Sequence, residues 1–160
     1  MRHNPEFTML EFYQAYATYD DLMRLTEELF VTLAEEVVGS LQVPYADHII
    51  DLKPPWRRLT IKEAVVQHGG AEEQEIGTLG GLQHFAKQEG LHVDLNVSYG
   101  NLLVEVFEHV AESQLIQPTF MTGYPLEVSP LARKATRTRP WWTGLSCISE
   151  VESWPMLFQS

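Results

Sequence analysis

Residues 2–16 read RHNPEFTMLEFYQAY and place one Arg, one His, two Glu, two Phe and two Tyr in fifteen positions. Chain termini more often fray than carry such dense site chemistry. The aromatics and their partial alternation predict a strand from about Phe7 to Tyr16. Glu11 and Tyr13, two apart on a strand, point to one face. Spacing alone leaves two readings open. One is an edge strand with solvated charges. The other is a binding wall. In it Arg2 and His3 donate to an anion, the planar Arg fork suiting phosphate. Phe7 offers a ring face for stacking, and Glu11 beside Tyr13 holds an ammonium group.

Further along, Asp20 or Asp21 is placed to cap a helix. Leu22, Leu25, Leu29, Leu33 and Val37 then form one apolar stripe at spacings of three and four, and Gly39 is placed to end it. Residues 40–58 hold Pro44, Pro54, Pro55 and the short run His48-Ile49-Ile50, which reads as loop and strand. Thr60 and Glu63 make a capping-box pair before a short helix ending near Gly69-Gly70. Residues 71–78 are acidic and polar and read as exposed loop. Leu79, Leu82 and Phe85 predict another short helix, stopped by Gly90. Leu102, Leu103, Val106, Phe107 and Val110 predict a longer one from about Tyr99 to Glu112. Leu115 to Thr122 reads as a buried strand. Mixed helices and non-repeating strands indicate an α+β fold.

A chain of 160 residues is long enough for one domain with a real core. Its net charge of −11 favours solubility and repels nucleic acid, and no basic run offsets it. The single cysteine, Cys147, excludes an internal disulfide framework and a Cys-rich metal site, and points to the cytosol. No apolar run reaches the roughly 18 residues of a membrane span, and no signal-peptide pattern opens the chain. The six histidines lack HxxxH or HxH spacing, so a metal site is not expected. Glu105, Glu108 and Glu112 read as an acidic solvent face. Gly77, Gly80 and Gly81 do not make a phosphate loop, and Ser129 lacks a GxSxG elbow.

The opening stretch resembles the second half of motif 2 in class II lysyl-tRNA synthetases. LIQPTFMTGYPLEVSPLAR, residues 115–133, is similar to the segment those enzymes carry before their third motif. The TEELF and PPWRRLTIKEAV stretches between them also look like that family, so the resemblance covers essentially all of 2–133. It implies part of a class II aminoacyl-tRNA synthetase catalytic fold, an antiparallel sheet flanked by helices. It implies an ATP-dependent ligase that joins lysine to tRNA(Lys) through a lysyl-adenylate, assisted by Mg2+. Arg2 and His3 would then contact ATP phosphates, Phe7 would stack on adenine, and Glu11 and Tyr13 would belong to the lysine pocket.

The family's anticodon-binding barrel, motif 1 with its homodimer interface, the first half of motif 2 and motif 3 have no counterpart in the 160 residues. The chain alone is therefore expected to be inactive. Composition also changes after Arg133. Residues 1–133 hold 8 Lys and Arg against 20 Asp and Glu, whereas 134–160 hold 3 against 2, with three of the four Trp and the lone Cys. Read one base out of register, the tail has forced letters because Trp has a single codon. Trp141-Trp142 gives Val, Trp142-Thr143 gives Asp, and Trp154-Pro155 gives Ala. Permitted bases elsewhere rebuild a strand similar to the family's missing one, including two glutamates that resemble its magnesium ligands. Residues 134–160 are thus expected to be an out-of-frame tail without a selected fold. Two other readings stay open. One is a fragment of a tRNA-independent lysine ligase that modifies an elongation factor. The other is a degenerate gene product.

Overall fold

A computed structural model describes residues 14–94, 96–125, 127–128 and 146–148. Four α-helices and five strands lie within them: α1 (Tyr19–Leu33), β1 (Gln42–Tyr45), β2 (His48–Asp51), β3 (Arg57–Thr60), α2 (Ile61–Gly69), α3 (Leu79–Gln88), α4 (Tyr99–Val110), β4 (Thr119–Thr122) and β5 (Ser146–Ile148). The expected α+β class holds. β1 and β2 form an antiparallel hairpin. β3 pairs parallel with β4, and β4 pairs antiparallel with β5. Three helices therefore lie in the connection between the parallel pair β3 and β4, as a parallel crossover needs.

Alternation along β3 and β4 sends side chains into two separate cores. Leu59 and Met121 join a large apolar cluster with α2, α3 and α4, in which Ile61, Val65, Leu82, Leu102, Leu103 and Val106 are fully buried. Phe120, next to Met121, faces the other way and packs with Trp56 and Met23 of α1. The Trp56 and Phe120 rings lie 5.3 Å apart, and Phe30 meets Trp56 edge-on at 5.5 Å. β4 is thus buried on both faces, as expected for this segment, although the strand proper starts at Thr119 rather than Leu115. The residues before it complete a 3-10 turn, Glu112–Gln114, that closes α4.

Local signals account for most helix ends. Thr60 and Glu63 form the expected capping box, and Gly70 ends α2 in the left-handed conformation. Gly39 ends the first helix at φ 74°, after a π-helical last turn, Ala34–Val38. At its start, neither Asp20 nor Asp21 caps α1. Thr18 does, because Asp21 sits three residues later and its carboxylate accepts from Thr18 N at 2.8 Å and Thr18 Oγ1 at 2.7 Å. Residues 71–78 are mostly exposed, but Ala71 and Ile76 are buried and anchor the loop. Of the predicted strand Phe7–Tyr16, only Gln14–Tyr16 is described. It is a turn rather than a strand, with Tyr16 at φ 60°.

The apolar stripe of α1 requires correction. The side chains turned inward are Met23, Thr26, Glu27, Phe30 and Ala34. They are one residue out of step with the stripe read from spacing, a rotation of about 100°. Leu25, Leu29, Leu33 and Val37 are exposed, Val37 at 78%. The physical reason lies with Trp56, whose backbone N–H donates to Glu27 Oε1 at 2.8 Å in a buried setting. Thr26 is satisfied within the helix, its Oγ1 donating to Leu22 O at 2.8 Å. The helix therefore buries a mixed face whose polar groups are paired, and leaves Leu25, Leu29 and Leu33 outside while Leu22 is half-buried.

Candidate functional site

Arg2, His3, Phe7, Glu11 and Tyr13 all lie outside the described residues. The described chain takes up immediately after Tyr13, where Gln14, Tyr16, Ala17, Asp21, Arg24 and Glu28 line an open polar groove of about 380 Å3. Arg24 is bonded to Asp21 along its own helix, so its charge is compensated there. That bond, together with the larger effect of the two Thr18 donors, holds the Asp21 carboxyl below its ordinary value.

The other stretch of interest, 115–133, is described over 115–125 and 127–128. After β4 the chain turns at Gly123 (φ 69°) and is fastened to α4 through Glu127. Glu127 Oε2 accepts from Gly100 N at 2.8 Å and Ser98 Oγ at 2.7 Å. A carboxylate at a helix N-terminus satisfies orphan donors and complements the dipole. Gly100 permits the approach, since a Cβ there would collide with Glu127 Oε2 and Pro125. Thus α4, whose inner face is buried, anchors the chain at Glu127. Sequence reasoning did not single out Glu127, because its partners lie 27 and 29 residues away.

On another face, His48, Arg57, His68, Gln114, Gln117 and Thr119 line a cleft of about 340 Å3 whose remaining lining is aliphatic. Arg57 donates through Nη2 to Gln67 Oε1, and its Nη1 lies 3.3 Å from His68 Nε2. A guanidinium has no acceptor atom, so Nε2 must accept and Nδ1 carries the proton of the neutral ring. Burial, and then the neighbouring Arg57 charge, lower the pKa of His68 below its ordinary value. Gln117 stitches the hairpin to this region, accepting from Asp51 N at 2.9 Å and donating to Ile49 O at 2.9 Å. Gln114 donates to His68 O at 3.0 Å. Histidine spacing along the chain held no signal for this cleft, since three strands and a helix must assemble before it exists.

Glu105 and Glu108 are exposed on one side of α4, with Glu112 half-buried just beyond it. Although the residue is exposed, the neighbouring protein displaces part of the solvent around the Glu108 carboxyl and raises it above its ordinary value, with added repulsion from Glu112 and Glu105. Among the described residues, no three His, Cys, Asp or Glu side chains converge to hold a metal ion. Nor is any described helix long and apolar enough to cross a membrane.

With this α+β frame and its two family-like stretches in place, comparison with known sequences defines the class. Residues 1–150 match the family described as tRNA synthetases class II (D, K and N), and the chain belongs to that family. Within it, the chain is similar to lysine–tRNA ligase of Salmonella paratyphi C (strain RKS4594), 47% identical over 135 residues. It is equally similar to lysine–tRNA ligase of Salmonella arizonae and of Salmonella newport. Each alignment covers 84% of this chain and 27% of the relative, so the chain spans about a quarter of the length of these curated relatives.

Proposed function

We propose that these residues belong to a lysine–tRNA ligase, which activates lysine with ATP as lysyl-adenylate and transfers it to tRNA(Lys) in the cytoplasm. The observation that carries this reading is the 47% identity to lysine–tRNA ligases over 84% of the chain. In the activation step a lysine carboxylate oxygen attacks the α-phosphorus of ATP and pyrophosphate leaves. The residues quoted at the start of the chain suit binding and orientation for that step. Arg2 and His3 donate to phosphate oxygens, Phe7 stacks on adenine, and Glu11 and Tyr13 hold the lysine ammonium groups. Glu127 ties the chain that follows β4 to the N-terminus of α4.

The 160 residues alone do not turn over. Loss of a single preorganised donor to developing charge costs roughly 10²–10³ in rate, and 2–133 resembles only part of the family's site. The division into a catalytic segment, 1–133, and an out-of-frame tail, 134–160, is also our proposal. It rests on the change of composition and the forced codons, and sequencing the underlying DNA tests it. β5 lies within that tail. Its pairing with β4 is a main-chain arrangement that three residues of many kinds can make.

Calorimetry on the 160-residue chain tests the site. Lysine and ATP each release heat, Glu11→Gln abolishes the lysine response, and Arg2→Ala weakens the ATP response. Absence of heat from both ligands overturns the pocket reading and favours a degenerate product. Lysine-dependent pyrophosphate exchange by this chain at rates typical of an enzyme would overturn the proposed inactivity.

A further inference from the structure

The cleft between the β1–β2 hairpin, β3, α2 and the start of β4 is unlike the rest of this molecule in charge. The chain carries 22 acidic against 11 basic side chains, yet no Asp or Glu lines this cleft, while Arg57, His48 and His68 do. Arg57 has no carboxylate partner among the described residues. Its neighbour Arg58, pointing to the opposite face of β3, lies 3.6 Å from Asp20. The groups that hold Arg57 are neutral acceptors, Gln67 Oε1 and His68 Nε2. They orient the fork without neutralising it. Two of its five N–H donors are used there, and no described acceptor takes the other three. Gln114 and Gln117 are each tied to backbone carbonyls, so the rim of the cleft is braced.

We propose that this cleft is a binding site for a phosphate oxyanion, held by the Arg57 guanidinium with His68 beside it. The chemistry follows from the donor set: an uncompensated planar fork recognises two oxygens of a tetrahedral anion at once. The cleft's volume of about 340 Å3 exceeds what one phosphate group needs and leaves room for what the phosphate is attached to. Burial first, and the Arg57 charge second, lower the pKa of His68, which suits its part as the neutral acceptor that orients Arg57. His48 and Arg57 are the other titratable or charged side chains lining the space. The proposal rests on described residues alone and does not depend on the lysine-ligase reading.

Inorganic phosphate titrated into the 160-residue chain at low salt, followed by NMR of backbone and arginine side-chain resonances, tests it. Saturable shifts centred on Arg57 and His68 are expected. Arg57→Gln weakens binding at least about tenfold, and Arg57→Lys, which keeps the charge but loses the fork, weakens it severalfold. Arg58→Gln, an equal change in net charge on the other face, leaves it unaltered. A 5′-phosphorylated single-stranded RNA then separates the sources of the ligand. Tighter binding than inorganic phosphate, still lost in Arg57→Gln, assigns the site to polynucleotide phosphate. Equal binding assigns it to small phosphate compounds. Either result supports the oxyanion site. Unsaturable shifts, or equal losses in Arg57→Gln and Arg58→Gln, overturn it.

Discussion

α1 and α4 carry nearly the same apolar spacing and meet opposite fates. In α4, Leu102, Leu103, Val106, Phe107 and Val110 are all buried. In α1 and its π-helical extension, Leu25, Leu29, Leu33 and Val37 lie exposed, and the buried face includes Thr26 and Glu27. The difference teaches what periodicity can and cannot say. A stripe at helical spacing identifies a face suited to burial. Whether a matching face stands opposite is a fact about the other elements. For α4 that face comes from α2, α3 and β4. For α1, the polar demand of the Trp56 N–H chose another side of the helix.

The largest expected effect contrasts those two stripes. Phe107 is 2% exposed within the main core, and Phe107→Ala should cost about 3–5 kcal/mol through lost burial and a cavity. Leu33 is 46% exposed, and Leu33→Ser should change stability by no more than about 0.5 kcal/mol. Urea unfolding of both variants measures the contrast. A loss in Leu33→Ser approaching that in Phe107→Ala would mean the leucine stripe of α1 is packed in solution, and the contrast would collapse.

A smaller effect tests why α1 is rotated as it is. Glu27→Ala leaves the buried Trp56 N–H without its acceptor and should cost about 1–3 kcal/mol. Glu27→Gln keeps an acceptor oxygen of the same reach and should lose less. If the two variants are equally destabilised in urea, charge rather than the hydrogen bond holds this face inward.

The same logic marks how far the sequence could be read. The stop glycines Gly39, Gly70 and Gly90 and the Thr60–Glu63 box were legible because caps are encoded within four residues. The buried segment around Phe120 and Met121 was legible because two large apolar neighbours on a strand point to opposite faces, so both faces need cover. The inward face of α1 was not, since Glu27 and Trp56 lie 29 residues apart and Leu spacing gave a stronger local signal. The Arg57–His68 cleft and the Glu127 anchor were hidden for the same reason. Arg2, His3, Phe7, Glu11 and Tyr13 stood in one of two readings that spacing left open and took their roles from the resemblance; they lie outside the described residues.

The smallest effect compares the two capping boxes. Thr18 and Thr60 each accept from the N3 backbone N–H and are each met by an N3 carboxylate. Removing either hydroxyl by substitution with Ala should cost about 1 kcal/mol. The readout should differ, however, because α2 is embedded in the main core while much of α1 faces solvent. Thr60→Ala should appear as a shift in global unfolding. Thr18→Ala should appear chiefly as faster amide exchange in the first turns of α1. Acid adds a second handle at α1. The Thr18 and Arg24 donors lower the folded-state pKa of Asp21 below the ordinary value of 3.8. Its contribution is therefore fully present above that value, and is lost as pH falls through the depressed folded value. Exchange in the first turn of α1 should accelerate over that acidic window in the parent chain. In Asp21→Asn that acceleration should be absent, because no carboxylate remains to be protonated. An unchanged acid response in Asp21→Asn would place the sensitivity of α1 elsewhere on the helix.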